Sequence, residues 1–367
     1  MTTPLDFRRL TLFPLSRRKS LTRVHDVLVD PDSKPPDLDR LTQTAITRCA
    51  SQVEQARARG AAVVLIHGAH LLRNGAALIL ERMMARGLIT HIATNGASTI
   101  HDWEYSWLGA STESVRENVA NGTFGLWRET SLNIHRALMV GALENLGYGQ
   151  SLGRYILHDG ANLPEPADLI ATIAANPTDP LTPARADLLL AIRQQQWNSG
   201  NHAVEHPFKH ASILAQAFRH SVPATVHPGI GYDIITNHPI FSGSVIGRAA
   251  DLDFRLFAGA LEGLDGGVVL SVGSAIMGPQ VFEKALACVN NIRLAQGRPV
   301  VGDHSFHVVD LQDSGGWDWT HGEPAKTNPA YYLRFCKSYA RMGGELNYHQ
   351  CDNLAFIHHL WKRFEGS

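Results

Sequence analysis

The sequence predicts an α/β fold, a three-layer sandwich with helices on both sides of a mostly parallel sheet. Three observations predict it. Short apolar runs of strand length alternate with longer segments of helical spacing. Most of the runs are bounded by glycine or small polar residues. Hydrophobic residues make up 44% of the 367, which suits a sizeable core and not a disordered chain.

Residues 1–39 read as an N-terminal arm. They carry Arg17-Arg18-Lys19 and the breaker-rich Asp30-Pro31-Asp32-Ser33-Lys34-Pro35-Pro36, and such a segment builds no core of its own. Two readings stay open for it: a disordered tail, or an arm that docks on a neighbouring subunit. Residues 40–367 then form one α/β domain, with a helical insertion around 112–200.

A helix over 41–59 ends at Gly60. The apolar run 61–66, between Gly60 and Gly68, is a buried strand. Leu78, Leu80, Met83 and Met84 mark a helix over 76–86, and 89–94 is a second strand stopped by Asn95-Gly96. Strand, helix, strand at this spacing is a βαβ unit with a right-handed crossover, so the two strands are parallel. Helices over 128–146 and 183–197 fill the insertion, with turn-rich stretches at 159–166 and 176–180. The sheet pattern resumes after a helix that ends near His220. Strands follow at 224–227, 267–272 and 306–311, helices at 251–261 and 280–292, and a final helix at 353–363. The alternation argues for one layered sandwich rather than two independent domains.

A formal net charge of −1 gives no argument for a nucleic-acid or membrane partner. The four cysteines have no C-x-x-C spacing, so neither a cysteine zinc site nor a disulfide framework is expected. The N-terminus lacks an apolar signal region and no apolar run is long enough for a bilayer, which makes the cytoplasm the default compartment. Among 19 histidines there is no H-E-x-x-H or H-x-x-x-D run, and His358 and His359 point to different faces of one helix. No catalytic metal is expected.

In an open parallel sheet, ligands bind beyond the carboxyl ends of the strands. Here those ends carry His67-Gly68-Ala69-His70 with Arg73-Asn74-Gly75, Thr94-Asn95-Gly96 with His101-Asp102, Gly229-Ile230-Gly231-Tyr232-Asp233, Gly273-Ser274-Ala275, and Gln312-Asp313-Ser314-Gly315-Gly316. Small residues let backbone N–H groups approach phosphates, so the set suits a dinucleotide; ordinary turn chemistry uses the same residues. There is no G-x-G-x-x-G after the first strand. Asp233 is a candidate partner for an ammonium or a helix cap. His101-Asp102 is a candidate base with its orienting carboxylate, or a plain histidine beside a capping aspartate. Trp103, Trp107, Trp317 and Trp319 read as a box around a cation or as core.

The segment 63–109, with its Leu-Leu-x-x-Gly helix start and its Ile-x-Thr-x-Gly loop ending in an acidic residue, resembles deoxyhypusine synthase. So do Val222-Pro223 through Ile234, Gly266-Gly267-Val268-Val269-Leu270 with Gly273, and Cys351-Asp352-Asn353-Leu354. The likeness implies a Rossmann-like, deoxyhypusine synthase-like fold and a homotetramer with NAD in clefts between subunits. It implies an NAD-dependent aminobutyl transferase acting on a polyamine such as spermidine, or a homospermidine synthase-like relative. By position in that likeness Ala69, His70, Asn74, Thr94, Gly96, Gly273, Asp313 and Asp352 would touch NAD and Asp233 would receive an amine; Asn95, Asp102, Gly231 and Ser274, at the same strand ends, are further candidates for the nucleotide site. The family's catalytic lysine lies in a Trp-Gly-Lys segment, whereas the nearest lysine here is Lys337 in Phe335-Cys336-Lys337. Lys337 is an imine-forming candidate if burial keeps its amine neutral, and otherwise a surface lysine. The family's histidine after the 267–272 strand falls at Met277. This pattern is closest to a bacterial branch of the family with a rebuilt substrate half. The alternative is a protein of the same fold that keeps NAD for another redox reaction, as a structural ligand or as a sensor.

Overall fold

The computed structural model describes residues 3–366. Six strands form the central sheet: β1 (Val63–His67), β2 (His91–Asn95), β3 (Ala224–His227), β4 (Val268–Val272), β5 (Ser305–Asp310) and β6 (Glu345–Gln350). Their spatial order is β6-β5-β4-β1-β2-β3, and every pairing is parallel. Read from the other edge, this is the doubly wound order 3-2-1-4-5-6.

Both faces of the sheet are covered. Val63 and Leu65 of β1 join one hydrophobic cluster, while the alternate residues Val64 and Ile66 join a second. The first face carries α1 (Arg40–Ala58), α2 (Ala77–Ala85), α3 (Gly96–Leu108) and the final helix, α6 (Asn353–Glu365). The second is covered by Phe257 and Leu261 of α4 (Gly243–Glu262), Phe282 and Leu286 of α5 (Met277–Ala295), and the Arg334–Ala340 helix. The chain winds from β1 outward to β3, crosses on α4, and winds the other way from β4 to β6. The reversal puts a switch point between β1 and β4. No helix among the described residues is long and apolar enough to cross a membrane.

Four features differ from the sequence reading. The arm packs on its own chain: Leu15 is fully buried, Thr22–Arg23 pairs antiparallel with Ala110–Ser111, and Phe13 bridges to Trp127. The stop at Asn95-Gly96 is the start of α3, where the Asn95 side chain accepts the Ser98 N–H at 2.9 Å. Polar residues on the buried face of α3 (Thr99, Asp102, Glu104, Ser106) hide its helical pattern. β6 went unread because, as an edge strand, it buries only Leu346 and His349. The insertion also contains a two-stranded antiparallel ribbon, Gly160–Leu163 with Gly200–Ala203.

Candidate functional site

Because all six strands run one way, their carboxyl ends share one edge of the sheet. At the switch point the backbones nearly touch. A Cβ on Gly68 would lie 2.1 Å from the Gly273 carbonyl oxygen. Gly273 has φ +62°, and a Cβ there would lie 2.3 Å from Asn353 Nδ2 at the start of α6. Only glycine fits at either position, and together they draw β1, β4 and α6 to one point. His67 Nε2 and Asn353 Oδ1 at this edge are buried without a hydrogen-bond partner. Burial also holds the His67 imidazole neutral, down at about 4.

Most of the residues read as nucleotide-binding stand around this edge. Ala69 and His70 open the short helix Ala69–Arg73, which Asn74 closes. Thr94 is buried and donates to the His67 carbonyl at 2.9 Å. Ser274 Oγ accepts the Gly278 N–H at 3.1 Å at the head of α5. Asp352 caps α6 through the Ala355 N–H at 2.9 Å and stays exposed. Gly231, with φ +95°, shapes the exposed loop after β3, and Asp313 accepts the Gly315 N–H in the exposed turn after β5.

Beside the switch point, over the ends of β1, β2 and β3, is a cavity of about 280 Å³. Asp233 lines it and is 2% exposed. Its Oδ2 accepts the Gly229 N–H at 2.7 Å, and its Oδ1 has no partner. Burial pushes the carboxyl up to about 6 against that one N–H. Gly96 makes room for it, since a Cβ there would sit 2.0 Å from Asp233 Oδ2. Asp233 precedes a short 3-10 turn, and its side chain makes no capping hydrogen bond there.

His101 also lines the cavity. Its Nδ1 lies 2.7 Å from Ser111 Oγ, and that hydroxyl donates to Glu104 Oε2 at 2.5 Å. A hydroxyl has one hydrogen, so toward His101 the Ser111 oxygen accepts. Nδ1 therefore carries the proton and Nε2 keeps its lone pair. Burial holds the imidazole below its ordinary value, with Glu104 opposing and Arg73 reinforcing. Glu104 is fixed in turn by Arg18, at 2.7 and 2.8 Å in a bidentate pair, and by Thr130 at 3.0 Å.

Three readings meet a different arrangement. Asp102 turns away to cap the Ile213–Arg219 helix, accepting from Ser212 Oγ and, at 2.7 Å, from the Ile213 N–H. Burial pushes its carboxyl up to about 7, and it does not orient His101. Lys337 is absent from the cavity lining; its Nζ sits 3.7 Å from the centre of the Tyr331 ring. The four tryptophans form no box. Trp103 stacks on Trp107 at 5.2 Å in one half of the core, and Trp317 and Trp319 belong to the other. Sequence reasoning missed Arg18, Glu104, Ser111 and Glu113, and gave Arg73 no role. The polar residues among 98–113 are a weak signal for Glu104, Ser111 and Glu113, and nothing in the sequence marks Arg18 or Arg73.

Fold and site thus define a doubly wound α/β protein with a glycine-closed switch point and a charged cavity beside it. No family model matches the chain, and no curated protein does. Among solved structures it is similar to apo ArgZ, an arginine dihydrolase from the ornithine-ammonia cycle in cyanobacteria, at 11% identity and TM-score 0.41 over 88% of this chain and 33% of that one. It is similar to AgrE in a ternary complex with ornithine and NAD+, at 14% identity and TM-score 0.44 over 90% and 34%. A conserved LOR/SDH protein from Methanococcus maripaludis S2 gives 14% identity and TM-score 0.41 over 92% and 74%. The chain spans about a third of the length of the first two. Likeness this distant carries neither ligand nor activity across. None of the three is a deoxyhypusine synthase, and that resemblance rests on its motifs alone.

Proposed function

We propose that the protein binds NAD across the carboxyl ends of β1 and β4 and oxidises a small amine held in the adjoining cavity. The observation that carries this reading is Asp233: a buried carboxylate with an unpartnered oxygen, in a cavity beside a 3-2-1-4-5-6 switch point. The backbones of Gly68, Ala69, Gly273 and Ser274 would take the pyrophosphate, and Asp352 or Asp313 the ribose hydroxyls. His67 Nε2 and Asn353 Oδ1 are orphaned polar atoms such a ligand would satisfy. Bound there, NAD would supply a hydride acceptor.

The chain's own residues do the rest. Asp233 anchors the substrate as an ammonium ion. His101 Nε2 takes one proton from it, which frees the nitrogen lone pair. As the hydride leaves the neighbouring carbon, that lone pair forms the C=N bond, and Asp233 faces the resulting iminium cation. The imine is then open to water or to a second amine, and the second route is aminoalkyl transfer. A transfer routed through a lysine would draw on Lys337, which packs on Tyr331 outside the cavity lining.

The test is incubation with NAD and a panel of amines, following reduced nicotinamide and new products. The expected result is NAD reduction by at least one amine, with His101→Gln lowering kcat by about 10²–10⁴-fold. Binding of NAD with no reduction by any amine in the panel would contradict the catalytic reading.

A further inference from the structure

We infer that the cavity takes a small molecule bearing an ammonium and a carboxylate together, an amino acid rather than a polyamine. The inference rests on the cavity being the substrate site proposed above. It follows from which lining charges are already satisfied. The acidic and basic residues of the lining are Arg18, Arg73, His101, Glu104, Glu113 and Asp233. Arg18 and Glu104 neutralise one another in the buried bidentate pair. Glu113 accepts from Trp127 Nε1 at 2.9 Å, the Gly125 N–H at 3.2 Å and Asn118 Nδ2 at 2.5 Å. His101 is held in its network by Ser111.

That leaves Arg73 and Asp233. Arg73 ends the short helix after β1 and is half-buried, and its side chain makes no hydrogen bond or ion pair among the described residues. Asp233 follows β3 and keeps Oδ1 unpartnered. The ends of β1 and β3 flank that of β2, so the two charges stand on opposite sides of the strand from which α3 starts. They do not pair with each other. Among the described residues of the lining, a cation without a partner and a carboxylate with an open oxygen, held apart on a shared cavity, match a ligand carrying the opposite two charges.

The guanidinium fork suits a carboxylate. A diamine or spermidine would set a second ammonium against Arg73, and a dicarboxylate would set its second carboxylate against Asp233. About 280 Å³ lies just below the usual span of small-ligand sites, roughly 300–1,000 Å³, and suits a molecule of amino-acid size.

The experiment is calorimetric titration of the full chain with lysine, ornithine, 4-aminobutyrate, putrescine, spermidine and glutarate, alongside a separate titration of NAD. The expected result is that at least one amino acid binds about tenfold or more tighter than putrescine, spermidine and glutarate. Arg73→Met should weaken that amino acid about 30-fold or more and leave NAD affinity within about twofold. Spermidine or putrescine binding tighter than every amino acid overturns the inference. So does Arg73→Met weakening NAD in place of the amino acid, which would make Arg73 a phosphate ligand. NAD binding with no amino acid bound ends the inference and spares the NAD reading. An amino acid bound without NAD does the reverse.

Discussion

Asp233→Asn is expected to lose about 30- to 1,000-fold in amine kcat/KM while making the protein more stable at neutral and alkaline pH. The loss of turnover follows from the role proposed for Asp233, whose unpartnered oxygen lies in the cavity lining. The gain in stability follows from its burial. Burial pushes the folded carboxyl up to about 6 from an ordinary value of 3.8. Folding therefore binds this proton more tightly, and ionisation costs stability. That cost is absent below the ordinary value, grows as the pH rises to about 6, and is full above it. At about 1.4 kcal/mol per pH unit it reaches about 3 kcal/mol. Asparagine keeps an oxygen for the Gly229 N–H and carries no charge to desolvate. The urea midpoint of the variant should exceed the wild type at about pH 8, and the two should converge near about pH 4. A destabilising carboxylate retained in a cavity is the pattern of a site kept for function. Turnover of the wild type should fall as the pH drops below about 6, where Asp233 takes up its proton.

Arg18→Met is expected to destabilise the fold by about 3–5 kcal/mol, because it leaves the Glu104 charge buried and unpaired. Arg18 and Glu104 side chains are each 1% exposed, so the pair is all but closed to water. The double variant Arg18→Met with Glu104→Gln should recover a large part of this, since no charge is then stranded. Urea unfolding of the single and double variants measures both. Turnover should fall in the single variant beyond any loss of folded protein. Glu104 holds the Ser111 hydroxyl that fixes the His101 tautomer, and Arg18 holds Glu104. The N-terminal arm is thus part of the cavity wall, and it contributes a residue that holds the network around His101.

The α/β class and the strand positions were legible because buried parallel strands are unbroken apolar runs. Val63–His67, Ala224–His227 and Val268–Val272 are buried along their whole length, and each was found within two residues. The glycines at 68, 96 and 273 were legible as ligand-side loops. Their physical reason, the approach of Gly273 to Asn353 and of Asp233 to Gly96, lies in contacts between distant segments. Helix α3 and strand β6 were illegible for opposite reasons. The first buries polar residues that break its apolar stripe, and the second is an edge that buries few residues at all. The network around Glu104 was beyond reach for a third reason. Arg18 stands 86 residues away in a segment whose composition reads as an arm, and burial of that pair is a tertiary fact. Lys337 shows the converse: a motif offset by about two residues looked close in sequence, yet its amine packs on Tyr331.

The central claim is that a dinucleotide lies over the carboxyl ends of β1 and β4. A crystal structure of the protein grown with NAD tests it most directly. The account predicts density for the pyrophosphate against Gly68 and Gly273, with the nicotinamide reaching toward Asp233 and His101. NAD seated elsewhere on the surface, or a fully formed crystal whose strand-end edge stays free of it at saturating concentration, would contradict the account.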